Sequence, residues 1–422
     1  MSVKARFLSV LTLALAACCL AACAFAPAPQ SAGESASSAP QSAAESESAG
    51  ESASAADGES VGAGALSAAE ERLAAMTLRE KVGQLFLIRP ESLCAGLSPD
   101  EVHDASGPAA TAWDEDMAAM LAEYPASGVV LFGKNIASPE QLSDFVIAMQ
   151  RAASTGLFIG VDEEGGSVSR IANTPGFDVP VFESMQAVGE TGDAANAREV
   201  GAAIGAYLRL YGFNLDFAPV ADVNTNPENV VIGARAFGSD PALVARMDAA
   251  VLEGLHSEGV LGCLKHFPGH GDTVGDTHDG AVSITKTWDE LLGCELVPFV
   301  ENFENTDLVM AAHISLPNVT QNGLPASLSH EIITGRLRGE LGYDGLVVTD
   351  SLAMGAIANE YTSAESAVLA VQAGVDLLLM PRDYAAAFEG VLEAVESGKI
   401  SEARLDESVL RILQAKERCG LL

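Results

Sequence analysis

The sequence predicts an α/β fold, a single (β/α)8 TIM barrel, on three observations. Eight short apolar runs of strand length recur at residues 84–88, 128–132, 157–161, 213–219, 260–264, 308–312, 345–349 and 375–380. Most are apolar without interruption, as strands covered on both faces must be. Between them lie amphipathic segments such as PEQLSDFVIAMQRAA, AREVGAAIGAYLRLYG, ALVARMDAAVLEGLHSEG and YAAAFEGVLEAVESG, several closed by a glycine before the next run. Alternation of this kind sustained over residues 66–422 suits a closed barrel. A doubly wound open sheet is the runner-up, but no strand–GxGxxG–helix unit occurs.

The chain before the barrel has a different composition. Lys4 and Arg6 precede the apolar run FLSVLTLALAACCLA, the arrangement of an export signal over residues 1–23. That run falls short of the roughly 20 residues a membrane span needs. Its end resembles a bacterial lipobox twice, at Cys18 and at Cys23. The longer apolar region and the linker that follows favour Cys23 as the lipid-bearing residue; a plain secretory signal is the other reading. Residues 24–65 are almost entirely Ala, Ser, Glu, Gly, Pro and Gln. Such a segment buries too little apolar surface to offset its ordering entropy and reads as a disordered tether. A domain held outside the cytoplasm, anchored to the cell membrane through this N-terminal lipid alone or secreted, is the expected arrangement.

Charge narrows the function classes. With 23 Lys and Arg against 58 Asp and Glu, the net charge is −35, a field that repels nucleic-acid phosphates. Beyond the export signal only Cys94, Cys263, Cys294 and Cys419 remain, with no CxxC pair, so no zinc ribbon is indicated.

Chemistry concentrates where the apolar runs end. Run 157–161 passes into Asp162, 213–219 leads to Asp222 and Asn224, 260–264 ends in Lys265 and His266, 308–312 in His313, and 345–349 in Asp350. In barrels the C-terminal strand ends form the active-site face, so these groups should share one mouth. Residues 265–280, KHFPGHGDTVGDTHDG, hold three histidines and three aspartates. A metal site is one reading, because His266 and His270 have the i, i+4 spacing of helical zinc ligands. Pro268 and Gly269 break any helix between them, and the motif lacks glutamate. The other reading is acid–base chemistry: Asp276 stands two residues before His278, and a carboxylate on one ring nitrogen fixes the tautomer and raises the basicity of the other. An Asp-x-His triplet alone is weakly specific.

Its surroundings are more telling. KHFPGHGDTVGDTH at 265–278 resembles the signature of the β-N-acetylglucosaminidases of glycoside hydrolase family 3, of the form KHFPGHG, four residues, D-[ST]-H. DEEGGSVSR, IGARAFG, VVTDSLAMGAI and the closing LDESVLRILQAKERCGLL resemble other segments of that family in the same order. The resemblance implies a retaining exo-β-N-acetylglucosaminidase acting on oligosaccharides that end in β-GlcNAc, with no cofactor and no catalytic metal. Asp350 is implied as nucleophile and His278 as general acid/base, partnered by Asp276. Asp162, Arg170, Arg235, Lys265 and His266 are implied to bind the sugar, with Asp222 and His313 in the pocket wall. An imidazole then replaces the second carboxylate usual in retaining enzymes, and the loop glycines suggest that it swings in with substrate. A hydrolase assisted by the substrate's own acetamide is disfavoured, because a lone aspartate rather than an Asp-Glu pair ends run 345–349. Left open are a phosphorylase using the same residues, a non-catalytic sugar-binding lipoprotein, and the choice between peptidoglycan fragments and chitin-type substrates. The chain is expected to act as a monomer.

Overall fold

The computed structural model describes residues 66–278 and 280–422. The expected export signal, the lipid-bearing Cys23 and the tether lie outside the described residues. Eight parallel strands make the centre: β1 Phe86–Ile88, β2 Gly128–Val130, β3 Phe158–Val161, β4 Leu215–Asp216, β5 Leu261–Phe267, β6 Leu308–Ala311, β7 Leu346–Thr349 and β8 Leu378–Leu379. They pair in the order β8-β1-β2-β3-β4-β5-β6-β7. The ring closes where Leu377 N–H reaches the Val347 carbonyl and Thr349 N–H reaches that of Leu377, both at 3.0 Å. Every residue of these strands is buried, which is why their sequences are apolar rather than alternating, apart from Asp216, Lys265, His266 and Thr349 toward their C-terminal ends.

Helices cover the outside, and their starts are written in the sequence. Ser138, Asp193, Asp240, Thr362, Asp383 and Ser401 each cap a helix by accepting a backbone N–H. These six helices are α1 Pro139–Ala152, α2 Ala194–Leu210, α3 Pro241–Ser257, α4 Ser363–Ala373, α5 Tyr384–Glu396 and α6 Glu402–Arg418. The four segments read from periodicity become α1, α2, α3 and α5 within a few residues. Strand lengths depart further. Run 213–219 yields only two strand residues, whereas run 260–264 extends to Phe267 and carries Lys265 and His266 inside the strand. A ten-residue π-helix, Glu331–Glu340, precedes β7 and was not foreseen.

One buried carboxylate fastens the end of the chain to the barrel. Asp376, fully buried before β8, accepts from Val347 N–H at 3.0 Å and from the Ser408 hydroxyl at 2.6 Å. It also pairs with Arg338 at 2.5 Å and Arg411 at 3.4 Å. Helix α6 buries Leu405, Val409, Ile412 and Leu413 along one face, and this carboxylate sets that face against the ring. Removing it takes the acceptor from the buried Val347 N–H and Ser408 hydroxyl and the ion-pair partner from the part-buried Arg338, so Asp376→Ala should cost about 3–5 kcal/mol. Urea unfolding checks this; a loss below about 1 kcal/mol would mean that water satisfies the arginines.

Candidate active site

The floor of the barrel mouth is organised by a buried ammonium. Lys265 stands near the end of β5 at 2% exposure, and a charge in that position must be paired. Its Nζ lies 2.8 Å from Asp162 Oδ1 and 2.5 Å from Glu164 Oε1. Burial opposes the charge, but these two carboxylates hold the ammonium well above the ordinary lysine range. Glu164 is gripped from its other side by Arg235, through Nε at 2.8 Å and Nη2 at 2.7 Å. Burial pushes the Glu164 carboxyl up, yet Lys265 and Arg235 outweigh it and hold the group at about 2.

The local sequence explains how three consecutive acids serve two purposes. Asp162 and Glu164 follow β3 and both reach Lys265, while Glu163 takes the opposite side. Its carboxylate accepts from the backbone N–H of Arg170, Ile171 and Ala172 and from Tyr207 Oη. Glu163 thereby fixes the loop that delivers the Arg170 side chain to within 3.6 Å of Asp162.

A second buried carboxylate orders the histidines. Asp222 accepts from His266 N–H at 3.2 Å, His266 Nδ1 at 2.7 Å and His270 N–H at 2.6 Å. Burial acts against it, but the His266 imidazole beside it keeps Asp222 below the usual carboxylate range. With Nδ1 engaged, His266 turns Nε2 to the cleft. Asp222 is fully buried and lies behind the pocket wall rather than in it, a correction to the sequence reading. His313 is corrected likewise. Its Nδ1 meets Ser327 Oγ at 2.7 Å and its Nε2 donates to the Ser351 carbonyl at 2.9 Å, so it braces the residue after Asp350 from behind. Polar groups at strand ends can face the mouth or the shell beneath it, and sequence does not separate the two.

Asp350 follows β7 directly. One carboxylate oxygen accepts the Ser351 N–H at 2.7 Å, and the residue lines the cleft. Opposite it comes the glycine-rich loop of residues 269–278. Gly271 is required by close approach, since a Cβ there would stand 2.0 Å from the Val223 carbonyl. Gly275 adopts φ 113°, a conformation that favours glycine. At the loop end His278 Nδ1 donates to Asp276 Oδ1 at 2.7 Å, and Nε2 has no hydrogen-bond partner among the described residues. Slight burial works against it, but the His278 N–H and imidazole hold the Asp276 carboxyl below its ordinary value. The His278 side chain is 69% exposed. Gly355 N–H and Ala356 N–H bond to the carbonyls of His278 and Thr277, each at 3.1 Å, tying this loop to the segment after Asp350.

The cleft holds about 350 Å3, enough for one hexose-sized ring. Asp162, Arg170, Arg235, Lys265, His266, His278 and Asp350 all line it, and Asp276 supports His278 from outside. Among the described residues no group of three or more His, Cys, Asp or Glu side chains is arranged to hold a metal ion. Sequence reasoning did not single out Glu164; its place two residues after Asp162 was the available signal. Because its folded value lies near 2 against an ordinary 4.5, its contribution to stability is complete above 4.5 and is lost as the pH falls through 2. Glu164→Gln should therefore cost about 3–5 kcal/mol at neutral pH. The gap to the unaltered chain in urea midpoint should narrow below pH 4.5; a gap that does not change with pH would refute this account.

Relatives share this architecture. "Beta-hexosaminidase LpqI" of Mycobacterium tuberculosis is 34% identical over 349 residues, covering 80% of this chain and 85% of that protein. "Beta-hexosaminidase A" of Pseudoalteromonas piscicida is 32% identical over 373 residues, covering 81% of this chain and 61% of that protein. A solved glycoside hydrolase family 3 beta-N-acetylglucosaminidase from Paenibacillus sp. superposes with a TM-score of 0.74 at 39% identity, covering 82% of this chain and 63% of that one. This chain thus spans less than two thirds of the length of the last two. The model of the glycosyl hydrolase family 3 N-terminal domain matches residues 77–415, and the chain belongs to that family.

Proposed function

We propose that the protein is a retaining exo-β-N-acetylglucosaminidase that removes terminal β-GlcNAc from peptidoglycan fragments. The observation that carries this reading is one cleft, sized for one sugar, lined by both a strand-end carboxylate and a carboxylate-backed imidazole. The names of the relatives support the substrate class. Asp162, Arg170, Arg235, Lys265 and His266 hold the non-reducing sugar against the floor. The free Asp350 oxygen attacks the anomeric carbon while His278 Nε2 gives its proton to the departing glycosidic oxygen. The aglycone leaves and a glycosyl–Asp350 ester remains. The neutral imidazole then takes a proton from water as that water attacks the same carbon, which releases the sugar with retained configuration. Asp276 stabilises the imidazolium present before the first step and after the second. The largely exposed position of His278 supports a loop that moves inward with substrate.

Asp350→Ala should lower turnover of an aryl β-N-acetylglucosaminide by at least about 10³-fold, and His278→Ala should lower hydrolysis of chitobiose by about 10²–10⁴-fold. Undiminished turnover by Asp350→Ala would sink the assignment. Product analysis from GlcNAc-MurNAc-peptide and from chitobiose, with and without phosphate, tests substrate and acceptor together. Free GlcNAc is expected in both buffers, and a sugar 1-phosphate would make the enzyme a phosphorylase instead.

We place the enzyme outside the cytoplasm on a lipid carried by Cys23, a reading supported by the lipobox-like sequence alone. Labelled fatty acid should enter the expressed full chain and be lost in Cys23→Ala. Retention in Cys23→Ala with loss in Cys18→Ala would move the anchor to Cys18.

A further inference from the structure

Beside the sugar cleft lies a smaller pocket of about 340 Å3, and the two share a wall made by Arg89, Phe132 and Arg170. Its charge is unusual for this protein. Of its nine lining residues three are cationic and none is acidic, in a chain with 58 acids against 23 bases. The cations are not equally engaged. Lys134 donates to the carbonyls of Val102, Asp104 and Pro108, so its ammonium is taken. Arg170 has one long contact, 3.6 Å to Asp162, and its buried Nε has no partner. Arg89, at the end of β1, makes no side-chain hydrogen bond or ion pair among the described residues, and its Nε is also buried without a partner. Phe132 holds both groups: the Arg89 guanidinium sits 3.9 Å from the ring centroid and that of Arg170 5.6 Å. Two forked donors are thus held against one aromatic ring, with hydrogen-bonding capacity left over, between the sugar floor and a pocket with no acidic residue in its lining. Such forks suit a planar carboxylate.

The geometry points to a carboxylate-recognition site for the aglycone, with Arg89 as its specificity-determining residue. This rests on the proposed hexosaminidase reading: terminal GlcNAc is uncharged, so the anion must belong to the unit that follows it. N-acetylmuramic acid, which bears an ether-linked carboxylate, has that chemistry, and chitin-type acceptors lack it. A structural role for Arg89, merely covering Phe132, makes a different prediction, since its loss would then affect all substrates alike.

The experiment compares kcat/KM for GlcNAc-β-1,4-MurNAc and for its methyl ester in the full-length enzyme, Arg89→Gln and Arg89→Lys. The unaltered enzyme should prefer the acid by about 10-fold or more. Arg89→Gln should lose about 10–100-fold on the acid, mainly through KM, and stay within about threefold on the ester. Arg89→Lys should recover part of the loss. A disaccharide-peptide whose lactyl group is amidated identifies the source: Arg89 dependence retained assigns the carboxylate to the peptide, and dependence lost assigns it to the sugar. No preference for the acid in the unaltered enzyme, or equal losses on both substrates, overturns the site. Were neither substrate turned over, the hexosaminidase reading would fall. Calorimetric titration with N-acetylmuramic acid and its methyl ester would then decide the anion site by itself, and equal binding by the unaltered chain and Arg89→Gln would overturn it.

Discussion

The active-site end of the barrel depends on one requirement, that the ammonium of Lys265 be paired where water does not reach it. An isolated charge there would cost several kcal/mol. Asp162 and Glu164 meet the requirement, and Glu164 in turn needs Arg235 to balance its second side. The two acids come from the connection after β3 and Arg235 from the connection after β4, so satisfying the charge on β5 draws two loops over the same floor. The outcome is a rigid, ionised surface of alternating sign. A surface of this kind is poorly matched to apolar ligands and well matched to the hydroxyl groups of a sugar, each of which donates and accepts.

Beneath that floor a second set of groups acts only through the first. Glu163 holds the backbone at residues 170–172, Asp222 orients His266 and His270, and His313 braces Ser351. None of the three needs to meet a ligand for the cleft to depend on it. Their burial within hydrogen-bonded networks makes each loss costly, because the partner left behind is also buried.

How much of this was legible in the sequence varied with the kind of signal. The eight runs gave the barrel because burial on both faces leaves a continuous apolar record, and several helix ends were visible in the closing glycines Gly212, Gly259 and Gly398. The extension of β5 through Lys265 to Phe267 was hidden, since a lysine ordinarily argues against a buried strand. Glu164 was not singled out, since nothing local marks an acid that a distant Lys265 and Arg235 will bury. Asp222 and His313 were recognised as special but assigned to the wrong layer, because which way a strand-end side chain turns is decided by long-range partners: His266 from β5 for one and Ser327 from a later loop for the other. Asp376 carried no local signal at all; its arginines come from two helices, one before and one after it in the chain.

The backbone bonds from Gly355 and Ala356 to the carbonyls of His278 and Thr277 attach the end of the glycine-rich loop to the connection that follows Asp350, while its first half is bonded to the connection that carries Arg235. On the proposed roles, sugar affinity and proton transfer therefore draw on different ends of that loop. A competitive inhibitor that engages only the floor would bind whatever the posture of the loop, with fast exchange. One that also reaches the His278 imidazole would hold the loop down and gain residence time, so slow-onset inhibition becomes a readable signature of contact with that imidazole.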